Sequence, residues 1–357
     1  MFKILHIIPS LVGGGAEHQL VLLSNYLSTK GYEVHVALRK GGVNKKYLNK
    51  TIVIHQLGNY KALHPKLIWS LHKLVKLIEP DIIQTWLLQM DIVGGIIAIL
   101  NKIPWVMTER SSKVGHANYF IPSRLRMLLG KWSKSIVANS IQGGNYWKRK
   151  SKTQKPIKYI PNIVAISSIT SAKKLVSPLG DSKKPLFISV GRLIDSKGFD
   201  ILIDALTLLP INKSINVLII GEGPEKYHLE RLIKKCNLES LVFIIPYQEK
   251  WWGYLKHARA LISMSQFEGM PNVILEGMAG KCPLIVSDIQ EHRDLLGESA
   301  ALYVQLNNSQ MLADSIEYIL KNRKNSKDRV DAALSLVSEF NEDTIGKSYE
   351  SIYNQII

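Results

Sequence analysis

The sequence predicts an α/β protein built from two doubly wound parallel sheets, each Rossmann-like. Three observations lead there. Short apolar runs rich in β-branched residues alternate with helix-patterned segments along the chain, which is the rhythm of βαβ units. That alternation is interrupted once, over 167–184, by a stretch in which Ser, Lys, Gly and Pro cluster. And 357 residues with 46% hydrophobic content suit two domains of ordinary size.

The first set opens with a strand over 3–9. Gly13, Gly14 and Gly15 then allow a tight turn and a close backbone approach before a helix over 16–28. Strands follow at 33–38 and 51–57, a helix at 66–78, a strand at 81–86, an apolar helix at 91–100 and a strand at 104–108. A basic amphipathic helix is expected over 121–134. Leu125, Leu128, Leu129 and Trp132 recur there at helical spacing, with Arg124, Arg126, Lys131 and Lys134 charged. Strands at 135–138 and 157–160 flank a helix near 142–150. The second set runs strand 185–190, helix 200–209, strand 216–220, helix 225–236, strand 241–245, helix 250–258 and strand 260–264. Strand 283–287, helix 290–296 and strand 301–303 complete it, and the tail at 310–322 and 327–356 reads as helical. These patterns divide the chain into a first domain at 1–166, a linker at 167–184 and a second domain at 185–340, with a terminal helix at 341–357. In doubly wound sheets ligands collect at the carboxyl ends of strands. That rule gathers Gly13–Gly15, Gln84, Trp86, Glu109, Arg110, Asn139 and Ser140 along one edge.

Charge is unevenly distributed. Residues 1–170 carry 24 Lys and Arg against 6 Asp and Glu, a net of +18, whereas the remainder is −1. Such asymmetry points to a polyanionic surface: nucleic acid, anionic lipid headgroups or phosphorylated substrates. The basic residues are spread over helices and loops without a nucleic-acid motif, which favours a membrane surface. The apolar stretch 92–100 is far shorter than the ~20 residues of a membrane span. No secretory leader is read at residues 1–8, and two cysteines without metal-ligand spacing suit a reducing compartment. The expectation is a cytoplasmic protein peripheral to a membrane.

Three motifs carry chemistry. In Ser265-Gln-Phe-Glu-Gly-Met-Pro-Asn-Val-Ile-Leu-Glu276 an apolar strand precedes two glutamates, and Pro271 and Asn272 signal a helix start. Glu268 is expected in the loop and Glu276 about one turn into the helix. The backbone N–H groups of Gly269, Met270 and Asn272, flanking Pro271, would add the positive end of a helix dipole. Such a place suits a hydroxyl-rich, anionic ligand. Ser189-Val-Gly-Arg-Leu-Ile-Asp-Ser-Lys-Gly198 supplies Arg192 and Lys197, a planar fork and a compact charge of the kind a diphosphate needs. In Ile219-Ile-Gly-Glu-Gly-Pro224, Gly221 and Gly223 permit a flat ring to lie against backbone. No Asp-x-Asp or metal-ligand cluster occurs, so neither metal nor cofactor is expected.

These motifs resemble glycosyltransferase family 4, also known as glycosyltransferase group 1, retaining enzymes of the GT-B fold whose two Rossmann-like domains face across a cleft. The resemblance spans nearly the whole chain, is specific in the second domain and loose in the first. It implies a metal-independent hexosyltransferase whose co-substrate is a nucleoside diphosphate sugar, UDP- or GDP-linked. Arg192 and Lys197 would hold the pyrophosphate, Gly221 and Gly223 border the base, Glu276 bind the ribose diol and Glu268 contact the transferred sugar. Gly14 and Gly15 match the family's Gly-Gly-Ala-Glu beneath donor and acceptor. The terminal helix would cross back onto the first domain. Where many members carry histidines, this chain reads Gln84-Thr-Trp86 and Thr108-Glu-Arg110, similar to a subgroup making bacterial polysaccharides. Glu109 or Arg110 would then face the reacting centre, and Gln84, Trp86, Asp91 and Asn162 the acceptor. The implied acceptor is a lipid-linked or polysaccharide glycan of the bacterial surface (O-antigen, capsule or exopolysaccharide). Three alternatives are weighed. A nucleotide-sugar 2-epimerase shares the fold but does not need the Arg192/Lys197 and Glu268/Glu276 set. A glycosidase would use two glutamates but not the cations. A nucleic-acid-binding protein would explain only the charge.

Overall fold

The computed structural model describes residues 2–60, 63–110, 120–151, 157–175, 178, 184–210, 215–322 and 326–357. The chain divides into two units. One comprises Met1–Ile163 together with Phe340–Ile357, the other Val164–Glu339.

The first unit runs β1 (Lys3–Ile8), α1 (Gly15–Thr29), β2 (Glu33–Leu38), β3 (Val53–Gln56), α2 (Pro65–Ile78), β4 (Ile82–Trp86) and α3 (Leu88–Leu100). It continues with β5 (Trp105–Glu109), α4 (Phe120–Gly130), β6 (Ser135–Ala138), α5 (Ile141–Ser151) and β7 (Ile157–Tyr159). Its seven strands are parallel, in the order β3-β2-β1-β4-β5-β6-β7. Strand order therefore reverses between β1 and β4, where a crevice opens at the carboxyl edge of such sheets. Central strands are buried along their length, as expected when helices cover both faces. Ile4, Ile8, Val34, Val36, Ile82 and Trp86 pack against α1, while Leu5, Ile7, Ala37 and Ile83 pack against α2 and α3 on the other face.

The second unit runs α6 (Ile166–Thr170), β8 (Leu186–Val190), α7 (Phe199–Thr207), β9 (Asn216–Ile220), α8 (Lys226–Lys235), β10 (Val242–Ile245) and β11 (Ala258–Ser263). Then come α9 (Asn272–Ala279), β12 (Leu284–Ser287), α10 (Gln290–Leu296), β13 (Leu302–Val304), α11 (Ser309–Lys321) and α12 (Ser326–Ser338). Six parallel strands lie in the order β10-β9-β8-β11-β12-β13, reversing between β8 and β11. The loops after β8 and β11 carry the first two motifs.

The chain closes with α13 (Glu342–Ile356), which belongs to the first unit and packs on α1. Tyr26 Oη donates to Glu350 at 2.7 Å, and Gly346 lies so close that a Cβ there would meet the Tyr26 ring at 2.2 Å.

Several expectations change. The unit boundary falls at Ile163/Val164, ahead of the expected linker at 167–184, and α6 packs on α9 within the second unit. Of that linker, 176–177 and 179–183 lie outside the described residues. The helix expected at 250–258 is a 3-10 turn, Trp251–Tyr254, and Ala258 already belongs to β11. The expected helix 327–356 is broken before Asn341, whose side chain caps α13 by accepting from the Thr344 N–H at 2.9 Å. Pro271 takes the N-cap position of α9 and Asn272 its first turn, one residue later than anticipated.

Candidate functional site

At the switch point of the second unit, the loops after β8 and β11 are fastened to each other. Gly198 holds a φ of +62°, and a Cβ there would meet the Met264 carbonyl oxygen at 2.4 Å. The Gln266 N–H donates to the Ser196 carbonyl at 2.9 Å. Only glycine meets both demands, the left-handed backbone and the missing side chain. This stitching delivers Lys197, whose Nζ donates to Glu268 Oε1; Ser265 Oγ donates to the same oxygen at 2.7 Å. Burial alone pushes the Glu268 carboxyl up, but Lys197 and Ser265 hold it below the usual carboxylate range. Arg192 stands exposed in the same loop and makes no ion pair among the described residues.

Glu276 sits one turn into α9, half-buried. Its Oε2 accepts from the indole of Trp251 at 3.2 Å. Burial pushes this carboxyl up to about 7, opposed by the indoles of Trp252 and Trp251. Gly269, Met270 and Asn272 are half-buried at the amino end of α9, and Pro271 is buried. Carboxylates, cations and the amino end of a helix thus lie on neighbouring loops, an arrangement able to bind phosphate and hydroxyl groups together.

The glycines after β9 are also required by packing. A Cβ at Gly221 would lie 1.9 Å from the Gly191 carbonyl oxygen, and one at Gly223 would lie 2.2 Å from that of Leu193. Their missing side chains make room for the adjacent β8 loop. Behind the β11 loop, Ser287 Oγ donates to the Ser265 carbonyl, and His292 Nδ1 donates to the Ser287 carbonyl at 2.8 Å. Burial lowers the His292 pKa, which keeps the ring neutral.

In the first unit, Gly14 is exposed at the N-cap of α1 and Gly15 is exposed at its first position. A Cβ at Gly14 would meet Glu17 Oε2 at 2.3 Å, the mobile end of a side chain folded back over the first turn of α1. The remaining expected site residues are corrected by their surroundings. Glu109, 1% exposed, accepts from Arg126 Nη1 at 2.6 Å and from Trp147 Nε1 at 2.7 Å. Asp91, wholly buried, accepts from Arg126 Nε and from Thr85 Oγ1, each at 2.6 Å. Burial raises the Asp91 pKa to about 6, with Arg126 the chief opposing influence. These carboxylates form an internal lock around Arg126, which was expected on the charged face of its helix. Gln84 and Trp86 are also wholly buried; Gln84 accepts from the Tyr353 hydroxyl, and Trp86 Nε1 donates to His6 Nδ1 at 3.3 Å. Arg110 lies over the Trp86 ring and donates to Asn162 Oδ1 and to Tyr349 Oη, each at 2.7 Å. Asn162 is buried and also accepts from Asn139 at 3.1 Å. Gln84, Trp86, Asp91, Glu109 and Asn162 therefore build the edge from within, and Arg110 ties it to α13.

Trp251, Arg126 and His292 escaped the sequence reading. Each acts on a partner outside any local motif, so spacing carries no signal for them.

Two parallel-sheet units, the second reversing where Lys197 pairs with Glu268 beside a helix bearing Glu276, fit the class of GT-B sugar transferases. The chain matches "Glycosyl transferases group 1" over residues 172–335 and "Glycosyltransferase Family 4" over residues 13–168. It belongs to that glycosyltransferase family and has the GT-B fold. One relative is the lipopolysaccharide core biosynthesis glycosyltransferase LpsD of Rhizobium meliloti, 25% identical over 359 residues, covering 96% of this chain and 95% of that one. Another, 24% identical over 352 residues and covering 95% of each chain, is an alpha-1,4-N-acetyl-D-galactosaminyltransferase of Campylobacter jejuni whose name gives an undecaprenol-diphosphate-linked acceptor. Among solved structures, Anabaena HepE in complex with UDP and glucose superposes with a TM-score of 0.88 at 20% identity, covering 99% of this chain and 100% of that one.

Proposed function

We propose that the chain is a retaining, metal-independent hexosyltransferase moving a sugar from a UDP- or GDP-linked donor onto a lipid-linked glycan of the bacterial surface. One observation carries the donor side: Lys197 pairs with Glu268 at the switch point of the second sheet, with Arg192 exposed in the loop that bears Lys197 and Glu276 on the helix that follows Glu268. Arg192 is free to fork onto the diphosphate, and Lys197 adds a second charge as the sugar–phosphate bond breaks. Glu268, kept ionised, accepts from a sugar hydroxyl and favours positive charge building at the anomeric carbon. Glu276 accepts from the ribose diol. The HepE complex and the acceptors named for the relatives support this assignment.

The surface of the first unit suits an acceptor held at an anionic membrane from the cytoplasmic side. Helix α2 exposes Lys66, Trp69, Lys73, Lys76 and Leu77, a stripe at helical spacing; Trp69 is 65% and Leu77 80% exposed. Helix α4 and the turn after it expose Arg124, Leu128, Lys131 and Trp132. Among the described residues no helix is long and apolar enough to cross a membrane.

A thermal-shift screen against UDP-, GDP- and ADP-sugars tests the donor side, because a specific binder stabilises by mass action. One class should raise Tm, and Lys197→Ala should abolish the rise. Equal stabilisation of wild type and Lys197→Ala would dismiss the site. Transfer should persist in EDTA. Sedimentation with phosphatidylglycerol vesicles, set against retention on DNA, tests the membrane assignment; retention on DNA alone would reverse it.

A further inference from the structure

Lys197 sits on Glu268, but among the described residues no cation approaches Glu276. An indole stands there instead. Trp251 Nε1 donates to Glu276 Oε2 at 3.2 Å, and the donor is wholly buried. Its turn is fixed from several sides. The Trp251 backbone N–H donates to the Gln248 carbonyl at 3.2 Å, and Tyr254 Oη donates to the Gln248 side-chain oxygen at 3.2 Å. Gly253 is packed so tightly that a Cβ would meet the Lys173 carbonyl oxygen at 2.5 Å.

A glutamate side chain rotates freely about its last bond, so one lodged in a half-buried site needs something to set the plane of its carboxylate. A cation would set it and also neutralise it. An indole N–H sets it through one directional bond, with no positive charge and no accepting capacity of its own. Once ionised, the carboxylate is not neutralised by its partner and can accept from the groups that approach from the open side. Hydrogen bonding to the ionised form also opposes the burial that favours the neutral acid.

Resting on the assignment of Glu276 to the ribose, we propose that Trp251 is a positioning residue, whose N–H holds the Glu276 carboxylate in the orientation that accepts from both hydroxyls of the diol. Trp251 touches no substrate and acts only through Glu276.

The test compares UDP and GDP with their 2′-deoxy counterparts by titration calorimetry, using wild type, Trp251→Phe, Glu276→Gln and the double variant. Wild type should prefer the ribonucleotide of its own base. Glu276→Gln should lose that preference, and Trp251→Phe should lose roughly tenfold of it while binding the 2′-deoxy nucleotide as wild type does. In the Glu276→Gln background the Phe substitution should have no further effect, the coupling that defines action through Glu276. A packing role alone would weaken both nucleotides alike. Full ribose preference in Trp251→Phe, with its loss in Glu276→Gln, would overturn the role of Trp251 and leave that of Glu276 intact. Preference retained by Glu276→Gln would overturn both. Should Trp251→Phe fail to fold, indole ¹H–¹⁵N spectra decide, with the neighbouring Trp252 resonance identified by Trp252→Phe: the Trp251 resonance should move between nucleotide-free wild type and Glu276→Gln, and no movement of it overturns the role of Trp251.

Discussion

Replacing Arg126 with Met strikes at the internal lock of the first unit. The guanidinium is 3% exposed and donates at 2.6 Å to Asp91, at 2.6 Å to Glu109 and at 3.0 Å to the Thr108 carbonyl. Met fills much of the volume and leaves two buried carboxylates facing each other without a cation. Breaking a buried ion pair from one side costs about 3–5 kcal/mol, because the abandoned charge stays in low dielectric. For a unit of this size each kcal/mol lowers Tm by about 2–4 °C, so a fall of about 6–20 °C is expected. The sign with pH follows from the carboxylates. Asp91 is already raised to about 6 by burial, and losing Arg126 raises it further. A raised carboxyl contributes stability that is present below the unfolded value and lost as pH rises through the folded one. The deficit should therefore widen between pH 5 and pH 8, read as Tm by circular dichroism. Adding Asp91→Asn and Glu109→Gln to Arg126→Met should recover part of the loss at pH 8. A Tm for Arg126→Met within about 2 °C of wild type at pH 8 would refute the lock, that being the effect of a single kcal/mol.

Three further outcomes are expected. Arg192→Ala should weaken the donor picked out by the thermal-shift screen roughly 10–100-fold in calorimetry, the loss of one charge-assisted contact, while Tm without donor stays unchanged because the side chain is exposed and unpaired. Glu276 has its pKa raised to about 7 by burial, and the ionised form accepts the diol, so donor affinity should climb between pH 6 and pH 8 and Glu276→Gln should flatten that climb. Gly221→Ala should destabilise the second unit by about 1–3 kcal/mol in urea unfolding, since its Cβ would have to displace a neighbouring backbone carbonyl rather than a side chain.

The two sheets were legible because strand–helix alternation is a local signal that repeats. The Arg192/Lys197 and Glu268/Glu276 motifs were legible because each lies within one loop–helix segment. What failed depended on distance along the chain. Asp91 and Glu109 looked like groups at a reactive edge, but Arg126 reaches both from a helix 35 and 17 residues away. That Gly221 and Gly223 also make room for the β8 loop has no local signal. The turn at Trp251–Tyr254 spans four residues, three aromatic and one glycine, too few for periodicity to separate a single tight turn from a short helix.

The assignment of Phe340–Ile357 to the first unit has a consequence for how the protein is made. During synthesis, Met1–Ile163 emerges first, yet the surface of α1 that receives α13 stays uncovered until the entire second unit has been translated. At elongation speeds of about 5–20 residues per second that wait is on the order of ten seconds or longer. The second unit, contiguous in sequence, has no such delay. The nascent chain therefore passes through a stage with the second unit complete and the first still open along the α1 face at Tyr26, the stage at which a chaperone has most to cover.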